Sequence, residues 1–144
     1  MRIAFASDHA AVALKSLLVD HAAGLGHDVI DLGPQTDARV DYPDYGYTLA
    51  AAIAAGEADA GVALCGSGIG ISIAVNRNLA CRCALVSEPL SAALARNHND
   101  ANVIAMGARV IGPDLAKACL EAFLAAPFEG GRHQNRVDKL SRKD

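Results

Sequence analysis

The sequence has no tryptophan, and aromatic residues make up only 4% of its 144 residues. Hydrophobic residues nevertheless account for 52%, so the core has to be built from Ala, Val, Leu and Ile, which suits small helices packed closely on a sheet. No apolar run approaches the roughly 18 residues that a membrane-spanning helix needs. Polar residues follow residues 1–6 at once, which leaves no apolar segment for a signal peptide. We therefore expect a cytoplasmic protein with no membrane partner.

The sequence also lacks an excess of positive charge and the cysteine spacing of a metal site. Its formal net charge is −3 and its pI is about 5.9, which gives no basis for nucleic-acid binding. The four cysteines show no C-x-x-C pair. Cys81 and Cys83 stand at the opening of a predicted strand, where buried apolar thiols are the usual case, so we expect neither a disulfide nor a metal there. Basic residues cluster only near the C-terminus, at Arg132, His133, Arg136, Lys139, Arg142 and Lys143.

Apolar runs alternate with helical patterns along the chain in the manner of βα units. Strands are predicted at residues 2–7, 28–32, 60–65, 82–86 and 103–106. Helices are predicted at residues 10–24, 45–55, 69–77, 89–98, 112–125 and 133–140, with a proline-containing loop at 33–44. This order predicts an α/β fold, a three-layer αβα sandwich whose Rossmann-like, five-stranded parallel sheet is covered on both faces. We treat residues 1–144 as one domain, with residues 130–144 as a C-terminal helical arm.

The most informative motif is the glycine-rich turn after the third predicted strand, Cys65-Gly-Ser-Gly-Ile-Gly70. Its alternating glycines allow the backbone to approach a ligand closely, and successive N–H groups in such a turn form an anion-binding concavity. A free thiol, whose ordinary pKa is about 8.5, stands directly beside that concavity. This combination predicts chemistry on a developing oxyanion.

Further polar residues follow the other predicted strands. Open parallel sheets bind ligands beyond the carboxyl ends of their strands. Asp8 at such an end fits a helix cap equally well, while His9 could contact an anion. The polar stretch 96–102 fits a helix end and loop, but it contains His98, an imidazole that can transfer protons. The other candidates at strand ends are Ser7, Ser87, Glu88 and residues 107–109.

Seven blocks of the sequence together carry a family resemblance. They are Ser7-Asp-His-Ala10, Asp41-Tyr-Pro43, Cys65-Gly-Ser-Gly-Ile-Gly-Ile-Ser72, Ser87-Glu-Pro89, Asn97-His-Asn-Asp100, Gly107-Ala-Arg109 and Glu129-Gly-Gly-Arg-His-Gln-Asn-Arg136. In this order and at this spacing they resemble the ribose-5-phosphate isomerase B family, from residue 2 to about residue 140.

The resemblance implies isomerisation of D-ribose 5-phosphate to D-ribulose 5-phosphate, in the non-oxidative pentose phosphate pathway, without a metal or an organic cofactor. Moving a proton between C1 and C2 needs a base and a place for the charge of an enediolate. By position in the motifs, Cys65 is the base. The oxyanion is then held by the backbone N–H groups of Gly66, Ser67, Gly68, Ile69 and Gly70.

The resemblance also assigns the remaining site residues. Ser67 would bridge the O1 and O2 oxygens, and His98 with Asp8 would open the furanose ring. Asn99 would bind a substrate hydroxyl or the enediolate, and Tyr42 would line the sugar pocket. In this family the site lies between two subunits, which implies a homodimer with the arm packed on the partner, while a tetramer stays open. Phosphate binding, which suits the guanidinium fork, falls to His9, Arg109, Arg132 and Arg136.

Other interpretations stay open at this point. The substrate could be allose 6-phosphate or galactose 6-phosphate, or the chain could be a non-catalytic subunit of the galactose 6-phosphate enzyme. Cys65 could be the nucleophile of a hydrolase, with His98 as its base. The glycines and Glu88 suggest a nucleotide-binding module, although the third glycine stands one position early for that motif. Two departures from the family pattern are Ala11, where glycine is common, and Ser67, where some members have threonine. Residues 73–76 carry no acid that could replace Cys65 as base.

Overall fold

The computed structural model describes residues 1–142 and shows an α/β fold with a five-stranded sheet. Lys143, the last residue of the basic cluster, lies outside the described residues. The strands are β1 (Arg2–Ser7), β2 (Asp28–Asp31), β3 (Ala60–Cys65), β4 (Cys83–Leu85) and β5 (Val103–Gly107). The helices are α1 (Val12–Gly24), α2 (Tyr42–Ala54), α3 (Ile69–Val75), α4 (Pro89–Asn99), α5 (Pro113–Ala125) and α6 (Gln134–Leu140). Among residues 1–142, no helix is both long and apolar enough to cross a membrane.

All neighbouring strands run parallel, in the order β2-β1-β3-β5-β4. Their carboxyl ends therefore lie along one side of the sheet, the carboxyl edge, and their amino ends along the opposite side, the amino edge. The register pairs Cys65 with Gly107 at the carboxyl edge and Gly61 with Val103 at the amino edge. Ligand binding in such sheets is expected at the carboxyl edge, where β1 and β3 lead to opposite sides of the sheet.

Side-chain alternation along the strands divides the core into two apolar layers. Ile3 and Phe5 of β1 belong to the layer beneath α1, α4 and α5. Ala4 and Ala6 belong to the layer beneath α2 and α3. Strand β3 is buried along its whole length, and its last residue, Cys65, belongs to the second layer. The thiol therefore lies on the side of the sheet that α2 and α3 cover.

The largest error of the sequence prediction concerns the start of α2. This helix begins at Tyr42 rather than at Tyr45, so the predicted loop 33–44 ended too late. Pro43 occupies the first turn of the helix, where a proline has no helical hydrogen bond to lose. The prediction treated it as part of the loop, which is wrong at a helix start. As a consequence, a helix and not a loop holds Tyr42.

The other boundaries shift by one or two residues. A 3₁₀ turn, His9–Ala11, precedes α1, which therefore begins at Val12 and not at residue 10. Helix α3 ends at Val75, and β4 is one residue shorter at each end than predicted. A second 3₁₀ turn, Gly131–His133, precedes α6, which begins at Gln134 and not at residue 133. Strand and helix ends fray by this amount in most proteins.

Helix α1 buries a lysine that the sequence pattern did not indicate. Lys15 is 1% exposed, and its ammonium forms an ion pair with Asp31 Oδ1 at the end of β2. The same oxygen accepts a hydrogen bond from the Gly33 N–H at 2.9 Å. Because a buried charge without its partner is strongly destabilising, this pair fixes α1 against the turn that follows β2.

The four cysteines, all within the described residues, are free thiols. Cys81 is buried, and burial raises its pKa to about 11. Burial also raises the pKa of Cys83. Both thiols are therefore neutral near pH 7, which agrees with the prediction that they serve as apolar side chains.

Candidate active site

The turn that follows β3, residues 65–70, encloses the Cys65 sulfur and is called the glycine cradle below. Cys65 is 4% exposed, and its Sγ accepts a hydrogen bond from the Gly68 N–H at 3.1 Å. Gly68 has a φ of +77°. A Cβ at this position would lie 2.8 Å from the carbonyl carbon of Met106, so the turn requires glycine. The predicted thiol and a predicted backbone donor therefore meet within one tight turn.

Two side chains border the cradle near the start of α3. The Ser67 hydroxyl accepts a hydrogen bond from the Ile69 N–H at 3.2 Å. The Tyr42 ring lies over Gly70, because a Cβ on that glycine would be 2.6 Å from the ring atoms Cε2 and Cζ. Tyr42 stays 42% exposed. A hydroxyl and an aromatic ring therefore lie beside the thiol's turn.

Arg109 borders the cradle on its other side, after β5. Its backbone N–H donates to the Gly66 carbonyl at 3.0 Å, and the Ala108 N–H donates to the Cys65 carbonyl at 2.9 Å. A Cβ on Gly66 would lie 3.4 Å from Arg109 Nη1, so the guanidinium covers this glycine. The end of β5 thus brings a permanent positive charge to the cradle.

Asp8 and His9 reach the same edge from β1. The Asp8 N–H donates to the Leu64 carbonyl at 3.0 Å, which ties the end of β1 to the end of β3. Asp8 Oδ1 accepts a hydrogen bond from the Ala10 N–H at 2.9 Å, so the helix-cap interpretation is correct for this carboxylate. His9 Nδ1 lies 3.1 Å from the Val40 carbonyl and 3.2 Å from the Val40 nitrogen. The long loop therefore holds one nitrogen of the His9 ring.

Gly107 fits directly beneath the cradle, and we expect its replacement by alanine to distort it. A Cβ on Gly107 would lie 2.6 Å from the carbonyl carbon and oxygen of Ser67, so backbone has to move. We expect Gly107→Ala to lower stability by about 1–3 kcal/mol and turnover by about tenfold or more, measured by urea denaturation and kcat. Gly112→Ala is the matched control, because nothing lies within 4 Å of its Cβ position. Equal behaviour of the two variants would contradict this expectation.

A second group of chemically active side chains, called the histidine cluster below, comprises His98, Glu129 and His133. The rings of His98 and His133 stack with centroids 4.4 Å apart and planes 11° from parallel. Glu129 Oε2 lies 3.9 Å from His98 Nε2 and 3.6 Å from His133 Nε2. Burial lowers the pKa of His133, as do the neighbouring His98 and Arg132. No sequence motif indicated a separate role for Glu129 and His133, and their spacing of four residues was the signal that could have linked them.

The lowered pKa of His133 makes stability depend on pH in a defined direction. In the unfolded chain a histidine has its ordinary pKa of about 6.5, whereas the folded ring resists protonation. Below that pH the unfolded state binds more protons, so stability falls as the solution is acidified from about pH 7.5 to about pH 5. We expect the Tm of the wild type to fall further over this interval than the Tm of His133→Asn, measured by thermal melts. Equal decreases in Tm for the two proteins would show that His133 does not contribute to the pH dependence of stability.

Two arginines fix the end of α4, the helix that carries His98 of the cluster. Asp100 caps the helix at a φ of +45°. Arg96 Nη1 donates to Asp100 Oδ1 at 2.9 Å, and Arg82 Nη2 donates to Asp100 Oδ2 at 3.2 Å. Arg82 Nε also donates to the Asn99 carbonyl at 3.2 Å. These hydrogen bonds at the C-terminal end of α4 therefore help to hold His98 and Asn99 in position.

The glycine cradle and the histidine cluster lie at opposite edges of the sheet. Cys65 pairs with Gly107, the last residue of β5. The cluster's helix ends just before β5 begins, where the Gly61 N–H donates to the Asn102 carbonyl at 2.8 Å. The 5 residues of β5 separate the two edges by about 16 Å. One chain thus brings Asp8, His9, Tyr42 and Arg109 to the cradle, but not His98, Asn99, Arg132 or Arg136.

A groove of about 390 Å³ runs along the edge strand β4. Asn99 lines it together with Leu140 of α6 and Cys81. It belongs to the amino edge of the sheet, and none of the cradle residues 65–70 is among the described residues that line it. The groove therefore adjoins the end of α4 rather than the thiol.

Comparison with known proteins adds independent information. The family model described as Ribose/Galactose Isomerase matches residues 3–140. Ribose-5-phosphate isomerase B of Escherichia coli (strain K12) is 48% identical over 140 residues, which are 97% of this chain and 94% of that protein. The structure of ribose-5-phosphate isomerase B from Clostridium thermocellum has a TM-score of 0.97 at 43% identity, covering 98% of this chain and 95% of that one. The structure of ribose-5-phosphate isomerase B from Mycoplasma genitalium with bound ribulose-5-phosphate has a TM-score of 0.92 at 38% identity, covering 98% and 94%.

Proposed function

The chain belongs to the ribose/galactose isomerase family and is an isomerase, and we propose that it interconverts D-ribose 5-phosphate and D-ribulose 5-phosphate through an enediolate. The observation that carries this proposal is the Cys65 thiol, buried at the end of β3 and hydrogen-bonded by the Gly68 N–H of the cradle. The relative from Mycoplasma genitalium, with ribulose-5-phosphate bound, supports the choice of substrate. A cytoplasmic location is part of the proposal.

In the proposed reaction, Cys65 removes the C2 proton of the open-chain aldose and returns a proton to C1. We assign stabilisation of the negative charge that develops on O1 and O2 to backbone N–H groups of the cradle, of which the Gly68 N–H also bonds to the thiol and the Ile69 N–H to the Ser67 hydroxyl. Ser67 lies next to the thiol, and its hydroxyl moves a proton between the two oxygens. Arg109, which covers Gly66, adds a positive charge beside the developing enediolate. The Tyr42 ring over Gly70 forms a wall of the sugar pocket.

Ribose 5-phosphate is a closed furanose ring in solution, so a ring-opening step comes before proton abstraction. We assign this step to His98 as the acid that protonates the ring oxygen, with Asp8 accepting the proton of the C1 hydroxyl. Asn99 binds a substrate hydroxyl. Arg132 and Arg136, which follow Glu129 in the chain, bind the phosphate together with His9.

These assignments require two copies of the chain, because about 16 Å of sheet separates His98 from Cys65 within one chain. We propose a homodimer in which the cradle of one subunit faces the histidine cluster of the other. An apolar surface beside the cradle supports this arrangement: Ile69, Ile73 and Leu85 are 52%, 58% and 46% exposed. Side chains of this kind in one patch favour burial against a partner. The packing of residues 130–142 on that partner stays a prediction.

The substrate proposal is tested by measuring kcat/KM for five- and six-carbon sugar phosphates. We expect D-ribose 5-phosphate and D-ribulose 5-phosphate to give the highest values, because the relative and the solved structures described above are ribose-5-phosphate isomerases. Higher kcat/KM values with allose 6-phosphate or galactose 6-phosphate would mean that the substrate is a six-carbon sugar phosphate. The absence of isomerisation with every sugar phosphate tested would reject the proposed function.

Arg136 gives a prediction about substrate binding. Its replacement by alanine removes one charged partner of the phosphate, and such a hydrogen bond contributes about 1.5–3 kcal/mol. We expect Arg136→Ala to raise KM by about tenfold or more with a smaller change in kcat, measured by steady-state kinetics. Arg142→Ala, from the same basic segment but outside the family motif, is the control. An unchanged KM for Arg136→Ala would remove this residue from the phosphate site.

The structure favours neither the hydrolase nor the nucleotide-binding alternative. A hydrolase would need the His98 ring to contact the Cys65 thiol directly, whereas the group that hydrogen-bonds this thiol within the chain is the Gly68 N–H. The nucleotide-binding interpretation relied on Glu88, but this carboxylate caps α4 by accepting hydrogen bonds from the Leu90 and Ser91 N–H groups at 2.6 and 2.7 Å. Glu88 thus has a structural role at the start of the helix.

A further inference from the structure

Two members of the histidine cluster, Glu129 and His133, have no part in the reaction as proposed above. Both are close to His98, the assigned acid of the ring-opening step. We propose, on the basis of that assignment, that His133 and Glu129 are positioning residues: they hold the His98 ring for proton transfer to the ring oxygen of the sugar. This role is separate from the proton transfer between C1 and C2, which belongs to the cradle.

The stack fixes the orientation of the His98 ring. With planes 11° from parallel and centroids 4.4 Å apart, the His133 ring covers one face of His98 and prevents rotation about its side-chain torsions. The side chain of His133 is only 8% exposed, whereas that of His98 is 38% exposed. The buried ring is therefore the support, and the exposed ring is the one that can reach a substrate.

Burial and the surrounding charges make His133 the ring of the stack that resists protonation. His133 is surrounded by His98 from α4 and by Arg132 and Arg136 from its own segment, all of which disfavour a second positive charge, while Glu129 opposes them. Its pKa is lowered chiefly by burial. The buried ring therefore resists protonation, and the exposed His98 ring is the one left to exchange a proton with the sugar. Glu129 Oε2, within 3.9 Å of both Nε2 atoms, places a negative charge beside the stack.

A clamp of two hydrogen bonds holds the segment that leads to His133 against α4. The Glu129 N–H donates to the Asn97 carbonyl at 3.0 Å, and Asn97 Nδ2 donates to the Pro127 carbonyl at 2.7 Å. These bonds join the segment before the arm to the last turn of α4, one residue from His98. Through the clamp, the segment that carries Arg132 and Arg136 is held at a fixed position relative to His98. The phosphate contacts and the ring-opening acid thus form one rigid unit.

The same geometry argues for proton handling rather than metal binding. The ligand atoms of the three residues lie within 4.8 Å of one another, a separation that could suit a metal ion. An imidazole nitrogen binds a metal in the plane of its ring, however, and nearly parallel rings direct their lone pairs side by side. The stack would have to open before both rings could bind one ion, whereas proton transfer by the His98 ring leaves the stack unchanged.

The test separates ring opening from enediolate formation. D-Ribulose 5-phosphate cannot close a five-membered ring, because its O5 carries the phosphate, so exchange of its C1 proton with D2O needs the cradle but no ring opening. We expect His133→Asn and Glu129→Gln to slow conversion of ribose 5-phosphate by about tenfold while C1 exchange stays within about twofold of wild type. With Glu129→Gln, the alkaline limb of the conversion rate moves to lower pH, since the charge that favours a protonated pair is gone.

The chain offers matched controls in a surface pair of the same type. His21 Nε2 and Glu121 Oε1 are 2.7 Å apart, and we expect His21→Asn and Glu121→Gln to change neither rate. Equal losses of conversion and exchange in the cluster variants would mean that the whole site is disturbed and would overturn the positioning role, as would unchanged conversion. If the wild type itself does not convert ribose 5-phosphate, the proposed function fails. If it does and His133→Asn is unaffected, only the positioning role fails.

Discussion

Replacement of Cys65 by alanine is expected to lower kcat by about a hundredfold or more, because general-base catalysis contributes roughly 10²–10⁴. The substrate should still bind, since its phosphate contacts are made by other residues. The loss of kcat is expected because Cys65, at the end of β3, is the buried group that the Gly68 N–H holds in the cradle. Steady-state kinetics measure the loss, and calorimetric titration with ribulose 5-phosphate measures the binding.

Cys119→Ala is the matched control for this variant. Cys119 is a buried thiol of α5 on the opposite layer of the core, and its loss should leave kcat near the wild-type value. Retention of more than a few per cent of the activity by Cys65→Ala would reject Cys65 as the base. A covalent adduct on Cys65 trapped during turnover would instead support a nucleophilic role.

Replacement of His98 by asparagine is the second change with a large expected effect, and it should separate the two halves of the reaction. We expect conversion of ribose 5-phosphate to fall by about a hundredfold, because the ring no longer opens efficiently. Exchange of the C1 proton of ribulose 5-phosphate with D2O should continue near the wild-type rate, because this sugar phosphate is already open. Mass spectrometry of recovered ribulose 5-phosphate measures the exchange.

Cys65→Ala provides the contrast, because it should lose both conversion and exchange. Parallel loss of both rates in His98→Asn would contradict a role confined to ring opening and would place His98 in the proton transfer between C1 and C2. Full conversion by His98→Asn would remove it from the mechanism.

The same two variants test the shared site directly. In a dimer of one Cys65→Ala subunit and one His98→Asn subunit, one of the two sites pairs an intact cradle with an intact histidine cluster, and the other has neither. We expect mixed, refolded dimers to regain activity that each inactive variant lacks alone. Persistent inactivity of the mixture, with dimers confirmed by light scattering, would place Cys65 and His98 of the same chain in each site.

Local features of the sequence predicted much of the carboxyl edge. The apolar run before Cys65, the glycines after it and the Asp8 cap each depend on neighbouring residues only, and the structure contains all three. The start of α2 was mispredicted because a proline is compatible with the first turn of a helix, so Pro43 alone does not distinguish loop from helix. The buried Lys15 escaped prediction because its partner Asp31 lies in a different βα unit.

The sequence by itself determined the α/β architecture, the position of the thiol at a strand end and the glycine turn around it, because periodicity and turn chemistry act over a few residues. Only the tertiary structure decided where His98 stands. The parallel register places the end of α4 at the amino edge, and the fold of the last segment brings His133 onto His98 from 35 positions along the chain. Such long-range placement follows from the packing of whole elements, which no local pattern specifies. It is also the physical reason why the proposed site needs a second copy of the chain.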